Sequence, residues 1–180
     1  MTLKRIAPDA IPAALARAER YRLLNQARQA ESICRDILAV DPKHGEAVAL
    51  LLLSLTDCFT DEGADQARAD AVALLPSLPD DYSRDYYRGL IVERWALALA
   101  RQSAPAHLVA GSIRQAMTWF ERAETQRPAG NDEALLRWNA CVRLLDRLER
   151  GMEPRGAVGP GDPNAPADMD ELDTGDDPPA

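Results

Sequence analysis

The sequence predicts an all-α protein: a helical repeat array over residues 1–150 and a disordered tail over residues 151–180. Three observations carry this expectation. A helix-length phrase recurs, with a small residue, apolar or small residues four and seven positions on, and a closing proline twelve positions after the first. It occurs as Ala30, Cys34, Ile37, Pro42, then as Ala67, Ala71, Leu74, Pro79, and again as Ala116, Phe120, Ala123, Pro128. Self-similarity of this kind is the mark of repeat architectures, in which each unit buries its apolar face against the next. Second, the apolar residues of 1–150 fall at helical spacings between proline, glycine and asparagine breaks. Third, residues 151–180 hold five of the ten glycines, six of the thirteen prolines and no aromatic residue. Such a composition offers too little apolar surface to offset the entropy of ordering it.

Each element has its own warrant. A first helix runs from about Ile11 to Leu24, capped by Asp9, with Pro12 tolerated in the first turn and Ala14, Leu15, Ala18, Tyr21 and Leu24 on one broad face. Asn25-Gln26 breaks it, and a second helix follows from about Arg28 to Val40. Asp41-Pro42 supplies a stop and a new start, with Asp41 as cap acceptor for a third helix reaching Phe59. That helix contains VALLLLSL and is apolar nearly all round, as expected of one buried on more than one side. A fourth helix spans Asp65 to Leu75, and Pro76 and Pro79 bracket the next loop. Ser83 caps a long fifth helix to Ala100, and a sixth runs from beyond Pro105 to about Gln126. Pro128-Ala129-Gly130 breaks that helix, and Asn131 or Asp132 caps a seventh to Arg150, with Arg137, Arg143, Asp146, Arg147 and Glu149 as its polar side.

These residues resemble the tetratricopeptide repeat. In the first repeat Ala14, Ala18 and Tyr21 match that motif's first helix, and Ala30, Cys34, Ile37 and Pro42 its second. Ala14, Cys34 and Ile37 depart from its preferred residue types, as does Ala71 in the second phrase. The third phrase, Ala116-Phe120-Ala123-Pro128, matches closely behind an insertion around Ser103–Val109. The family period is about 34 residues; the closing prolines here are 37 and 49 apart, so the later repeats are stretched. The resemblance implies a right-handed α-solenoid of about three helix pairs plus a C-terminal capping helix, whose first helices line a concave groove that recognises protein or peptide. It brings no catalytic residue.

Charge and composition narrow the function classes. Residues 1–150 carry 20 Lys/Arg against 21 Asp/Glu, whereas the tail carries Arg155 against eight acids, so the net charge of −8 belongs almost wholly to the tail. A nearly neutral array lacks the basic footprint of non-specific nucleic-acid binding. The start is too interrupted by Asp9, Pro12 and Arg17 for a signal peptide, and the longest apolar run, Ala47 to Leu53, is far short of a membrane span. A cytoplasmic chain without membrane contact is expected. Cys34, Cys58 and Cys141 form no C-x-x-C pair and read as buried small hydrophobes; His44 and His107 stand alone, so no metal site is expected. No phosphate loop, H-E-x-x-H or G-x-S-x-G appears, and the acid pairs Asp61-Glu62 and Asp80-Asp81 sit at helix boundaries, where carboxylates favour the positive helix end. No cofactor and no enzymatic activity are expected.

The expected function is a non-catalytic adaptor or scaffold binding a protein or extended peptide in the groove; the alternative is a structural or chaperone-like subunit that holds one client or self-associates. Aromatic and Arg side chains dominate interface hot spots, and the fifth helix combines Tyr86 and Tyr87 with Arg84, Arg88 and Arg94. These five are the candidate protein-binding residues. Arg84 and Arg88, one turn apart, suit a carboxylate, while Asp85 and Glu93 are their expected local partners. In the tail, Asp168-Met169-Asp170-Glu171-Leu172-Asp173 sets two apolar residues among acids, which reads as a solubilising, unstructured end, as a short motif for a basic surface, or as a segment folding back on the array's own arginines.

Overall fold

The structure, a computed structural model, describes residues 2–152. Within them the chain is all helical and no strand occurs. Seven α-helices follow one another: α1 (Ile11–Leu23), α2 (Ala27–Leu38), α3 (Gly45–Asp57), α4 (Ala64–Leu74), α5 (Asp81–Arg101), α6 (Ala106–Glu124) and α7 (Glu133–Met152). Short 3-10 turns precede α1 at Pro8–Ala10 and follow α4 at Leu75–Ser77. The last helix runs two residues past the boundary expected at Arg150, and the expectation of a disordered tail from Glu153 onward lies outside the described residues.

Helix ends follow local chemistry, not always as expected. Asp80, rather than Ser83, caps α5, its carboxylate accepting from Ser83 N–H at 2.7 Å. Asn25 turns the chain between α1 and α2 at φ 57°, a left-handed value that asparagine tolerates. Asn131 Oδ1 accepts from Glu133 N–H at 3.0 Å at the start of α7. Asp41 does not cap α3: its carboxylate accepts from Lys43 N–H at 3.2 Å, closing a local turn over Pro42. The helix therefore starts three residues later, at Gly45, with the His44 imidazole accepting from Ala47 N–H at 3.3 Å. Asp9 likewise lies in the 3-10 turn, and α1 has no side-chain cap.

The recurring phrase forms the buried stripe. Ala30, Cys34, Ile37, Ala67, Ala71, Ala116, Phe120 and Ala123 are all buried, and only Leu74 is half-exposed, with Leu75 buried beside it. Positions i, i+4 and i+7 share one face of a helix, so the phrase marks the surface each second helix presents inward.

Each helix packs on the next, and alternate helices also meet, α1 against α3 and α3 against α5. Two main cores result, with α5 between them. The first takes Ala18, Val48, Leu52, Leu55, Phe59 and Ala71 from α1 to α4, and Ile91 and Ala98 from α5. The second takes Tyr82, Tyr86 and Ala96 from α5, with Ile113, Phe120 and Cys141 from α6 and α7. Gly89 lets α5 and α6 close on each other, since a β-carbon there would stand 2.7 Å from Phe120 Cε1. A small third cluster joins Ile11, Ile37 and Ala47.

Contacts between consecutive pairs recur at one sequence separation. Arg22 Nε donates to Asp57 at 2.7 Å, Arg28 Nη2 to the Glu62 carbonyl at 3.0 Å and Arg35 Nη2 to Asp70 at 2.8 Å, across 35, 34 and 35 residues. Arg5 reaches the Ala39 carbonyl across 34, and Arg114 reaches Glu149 across 35.

Candidate functional site

The odd-numbered helices carry a strip of half-buried charge. Arg22 on α1 and Arg94 on α5 both bond to Asp57 on α3, and Arg94 Nη1 also donates to Thr56 Oγ1 at 2.8 Å. One turn of α3 thus joins two guanidiniums to a single carboxylate. Burial holds Arg94 below the usual arginine range, with Arg22 and Arg137 adding repulsion, while Asp57 favours its charged form. On α5 the neighbouring Glu93 is buried and faces Arg137 of α7, with Nη1 to Oε2 at 3.6 Å, beyond hydrogen-bond reach. Oε2 is buried without a hydrogen bond among the described residues. Burial raises the Glu93 pKa above the ordinary glutamate value against the pull of Arg137 and Arg94.

Beside the first part of the strip lies a cleft of about 690 Å³. It is lined where α1, α3 and α5 end: Arg22 and Leu23, then Thr56, Asp57 and Asp61, then Arg94, Leu97 and Arg101, with Arg28 from α2 at its edge. Four arginines thus face two aspartates. The cleft exists because α5 is long: 21 residues against 13 in α1 and in α3 extend its last turns past the ends of those helices. Arg101 is exposed and makes no ion pair among the described residues. Leu23, at the rim, is 81% exposed.

The five residues singled out from the sequence do not converge. Only Arg94 lines the cleft. Tyr86 is buried in the second core, stacked on Tyr82, edge-on to Tyr87 and tilted against Phe120. Tyr87 is half-buried between the two cores. Burial raises both phenols, Tyr87 to about 12. Arg84 folds back on the start of its own helix, donating to Asp81 at 2.6 Å and to the Leu78 carbonyl at 2.8 Å. Arg88 lies over the Trp119 ring of α6 at 4.7 Å, with Arg122 also against that ring at 4.6 Å. Asp85, expected to serve its neighbours on α5, pairs instead with Arg122 at 3.4 Å.

Arg22, Arg28, Arg101, Asp57 and Arg137 were not singled out. A usable signal existed for two of them: Arg22 and Asp57 are opposite charges 35 residues apart, like Arg35 and Asp70. Arg137, expected on the polar side of α7, is instead drawn inward by Glu93.

The remaining candidate chemistry is structural. All three cysteines are buried and unbonded, and burial raises their thiols to about 12, 11 and 12 for Cys34, Cys58 and Cys141. Among the described residues no group of three His, Cys, Asp or Glu side chains is gathered to hold a metal ion, and no helix is long and apolar enough to cross a membrane. Compared with known proteins, the chain matches no family model, no curated protein and no solved structure.

Proposed function

We propose that this chain is a non-catalytic adaptor or scaffold, a tetratricopeptide-like helical array whose inner face receives a protein or an extended peptide. The cleft at the ends of α1, α3 and α5 carries the reading: a concavity shared by three first helices, with more arginine than carboxylate. Desolvated arginines at the centre of a concave patch are the usual anchors of protein interfaces. The solenoid part of the proposal is supported by contacts at 34 or 35 residues, close to the family's period of about 34. The contacts α1–α3 and α3–α5 support it as well, because stacked pairs bring first helices together.

Within that reading the array presents charge for specificity and a shallow apolar rim for affinity, and its cytoplasmic placement is part of the same proposal. The test is capture from native lysate with the full chain and with the Arg101→Glu variant. Arg101 is exposed and makes no ion pair among the described residues, so helicity by circular dichroism should not change. One stoichiometric protein held by the wild type and lost by the variant is the expected result. Equal capture by both would remove the cleft from the interface. A defined self-oligomer with no captured protein would favour the structural or chaperone-like subunit instead.

A further inference from the structure

The cleft and the end of α7, where the described residues stop, lie at the same end of the array. Cleft-lining residues come from the C-terminal ends of α1, α3 and α5, so those three helices run the same way. Helix α6 returns antiparallel: its late residue Arg122 pairs with Asp85 near the start of α5, and Phe120 packs on Gly89. Helix α7 reverses again, since Arg114, midway along α6, meets Glu149 near the end of α7, while Trp138 Nε1 near the start of α7 donates to Glu121 near the end of α6. Met152 therefore leaves the array on the side where the cleft opens.

Charge and reach both fit an occupant from this chain. The cleft places Arg22, Arg28, Arg94 and Arg101 against Asp57 and Asp61, whereas residues 151–180 carry eight acids and one arginine. The segment Asp168-Met169-Asp170-Glu171-Leu172-Asp173 adds two apolar side chains to four carboxylates, and the cleft offers Leu23 and Leu97 beside its arginines. Sixteen positions separate Met152 from Asp168. A chain of that length spans up to about 55 Å, well beyond the ~20 Å of two helix-to-helix spacings from α7 to the cleft. Carboxylates meet guanidiniums through paired hydrogen bonds, and tethering raises the local concentration of the segment to the millimolar range. The other arginines near the exit, Arg143, Arg147 and Arg150, alternate along α7 with Asp146 and Glu149 and do not line this cleft.

We propose that the segment Asp168–Asp173 docks in cis on the arginine cleft at the ends of α1, α3 and α5, so that the array carries its own competitor for that surface. The docking does not depend on whether the inner face also binds another protein. A partner at the cleft must then displace the segment, and neutralising its acids raises the partner's affinity.

The test uses the full chain with Thr174→Cys carrying a nitroxide. The three native thiols are buried, so labelling is selective. The expected result is a severalfold loss of amide signal in Leu23–Gln29, Thr56–Asp61 and Leu97–Arg101, relieved by Asp168→Asn/Asp170→Asn/Glu171→Gln/Asp173→Asn and by 1 M salt, which cuts the screening length to about 3 Å. Signal loss confined to α7, or unchanged in the neutralised chain, would overturn the proposal. So would loss that appears only between labelled and isotope-enriched copies in a mixed sample, since that would place the segment on a second molecule. None of these outcomes bears on capture of another protein, so the two ideas fail separately.

Discussion

Two halves of the array hold together by different means. Helices α1 to α4 are short and nearly regular, and each pair is tied to the next by an arginine reaching 34 or 35 residues onward. Helices α5 to α7 are 19 to 21 residues long and pack through rings: Tyr82, Tyr86, Phe120 and the Trp119 face between Arg88 and Arg122. The first half spends its charges at the surface; the second buries two carboxylates, Glu93 against Arg137 and Asp85 against Arg122. Large side chains fill both cores, Leu52, Leu55 and Phe59 in the first and Tyr82, Tyr86 and Phe120 in the second. What differs is the spacing of the ties, which in the second half spreads from 35 residues for Arg114–Glu149 to 49 for Tyr82–Asn131.

The largest expected difference tests the aromatic core. Phe120 is fully buried against Tyr86 and Gly89. Phe120→Ala should cost about 4 kcal/mol by urea denaturation, the range for an aromatic removed from a core. Gly89→Ala alone should cost about 1–3 kcal/mol, because the added methyl meets a ring that close packing holds in place. In the Phe120→Ala background the same Gly89→Ala change should instead stabilise by about 1 kcal/mol, since alanine is the better helix former. Additive effects of the two substitutions would break the claim that close approach of α5 and α6 depends on this pair.

How far the sequence went differs between the same two halves. The buried stripe was legible throughout, because spacing of four and three residues reports a helix face whatever the helix length, and Ala116-Phe120-Ala123 shows it as clearly as Ala30-Cys34-Ile37. Helix starts were less so. Asp41 carries the right chemistry for a cap but spends it on Lys43 N–H, leaving the role to His44, a residue seldom found there. The site was least legible. Arg84, Arg88 and Arg94 sit on one helix but face three surroundings: their own N-terminal turn, Trp119 of α6 and Asp57 of α3. A single helix cannot disclose which neighbours it will meet; opposite charges 35 residues apart record some of them, Arg22–Asp57 and Arg35–Asp70 in the first half and Arg114–Glu149 in the second, but none of these lies on α5.

The buried Glu93 carboxylate of the second half predicts a pH effect. Burial holds Glu93 above its unfolded pKa, so the folded chain keeps this proton over a range where the unfolded chain has lost it. Its contribution to stability therefore falls as pH rises from the unfolded value of about 4.3 through the raised folded value. Glu93→Gln removes the buried charge, while Arg137, more than a third exposed, can turn to solvent. The variant should be more stable than wild type at pH 7, and the two should converge as pH drops below about 4. A variant less stable at pH 7 would show that the ion pair outweighs the burial of its carboxylate.

The smallest effect belongs to the ladder of the first half. Arg35 donates to Asp70 at 2.8 Å and to Glu31 at 3.0 Å, and its hydrogen bond is the main reason the Asp70 carboxyl sits below the ordinary aspartate range. The sign is opposite to that of Glu93: this contribution is present above the unfolded aspartate value of about 3.9 and is lost as pH falls through the lowered one. Half-exposed guanidiniums in water make weak pairs, so a double-mutant cycle of Arg35→Ala and Asp70→Ala should give a coupling of about 0.2–1 kcal/mol at low salt. In 1 M salt that coupling should fall toward zero, whereas the Phe120–Gly89 coupling should persist, because screening acts on exposed charge and leaves packing untouched. If the Arg35–Asp70 coupling also survived, the ladder would be more than a surface register mark, and the two halves would differ in side-chain type alone.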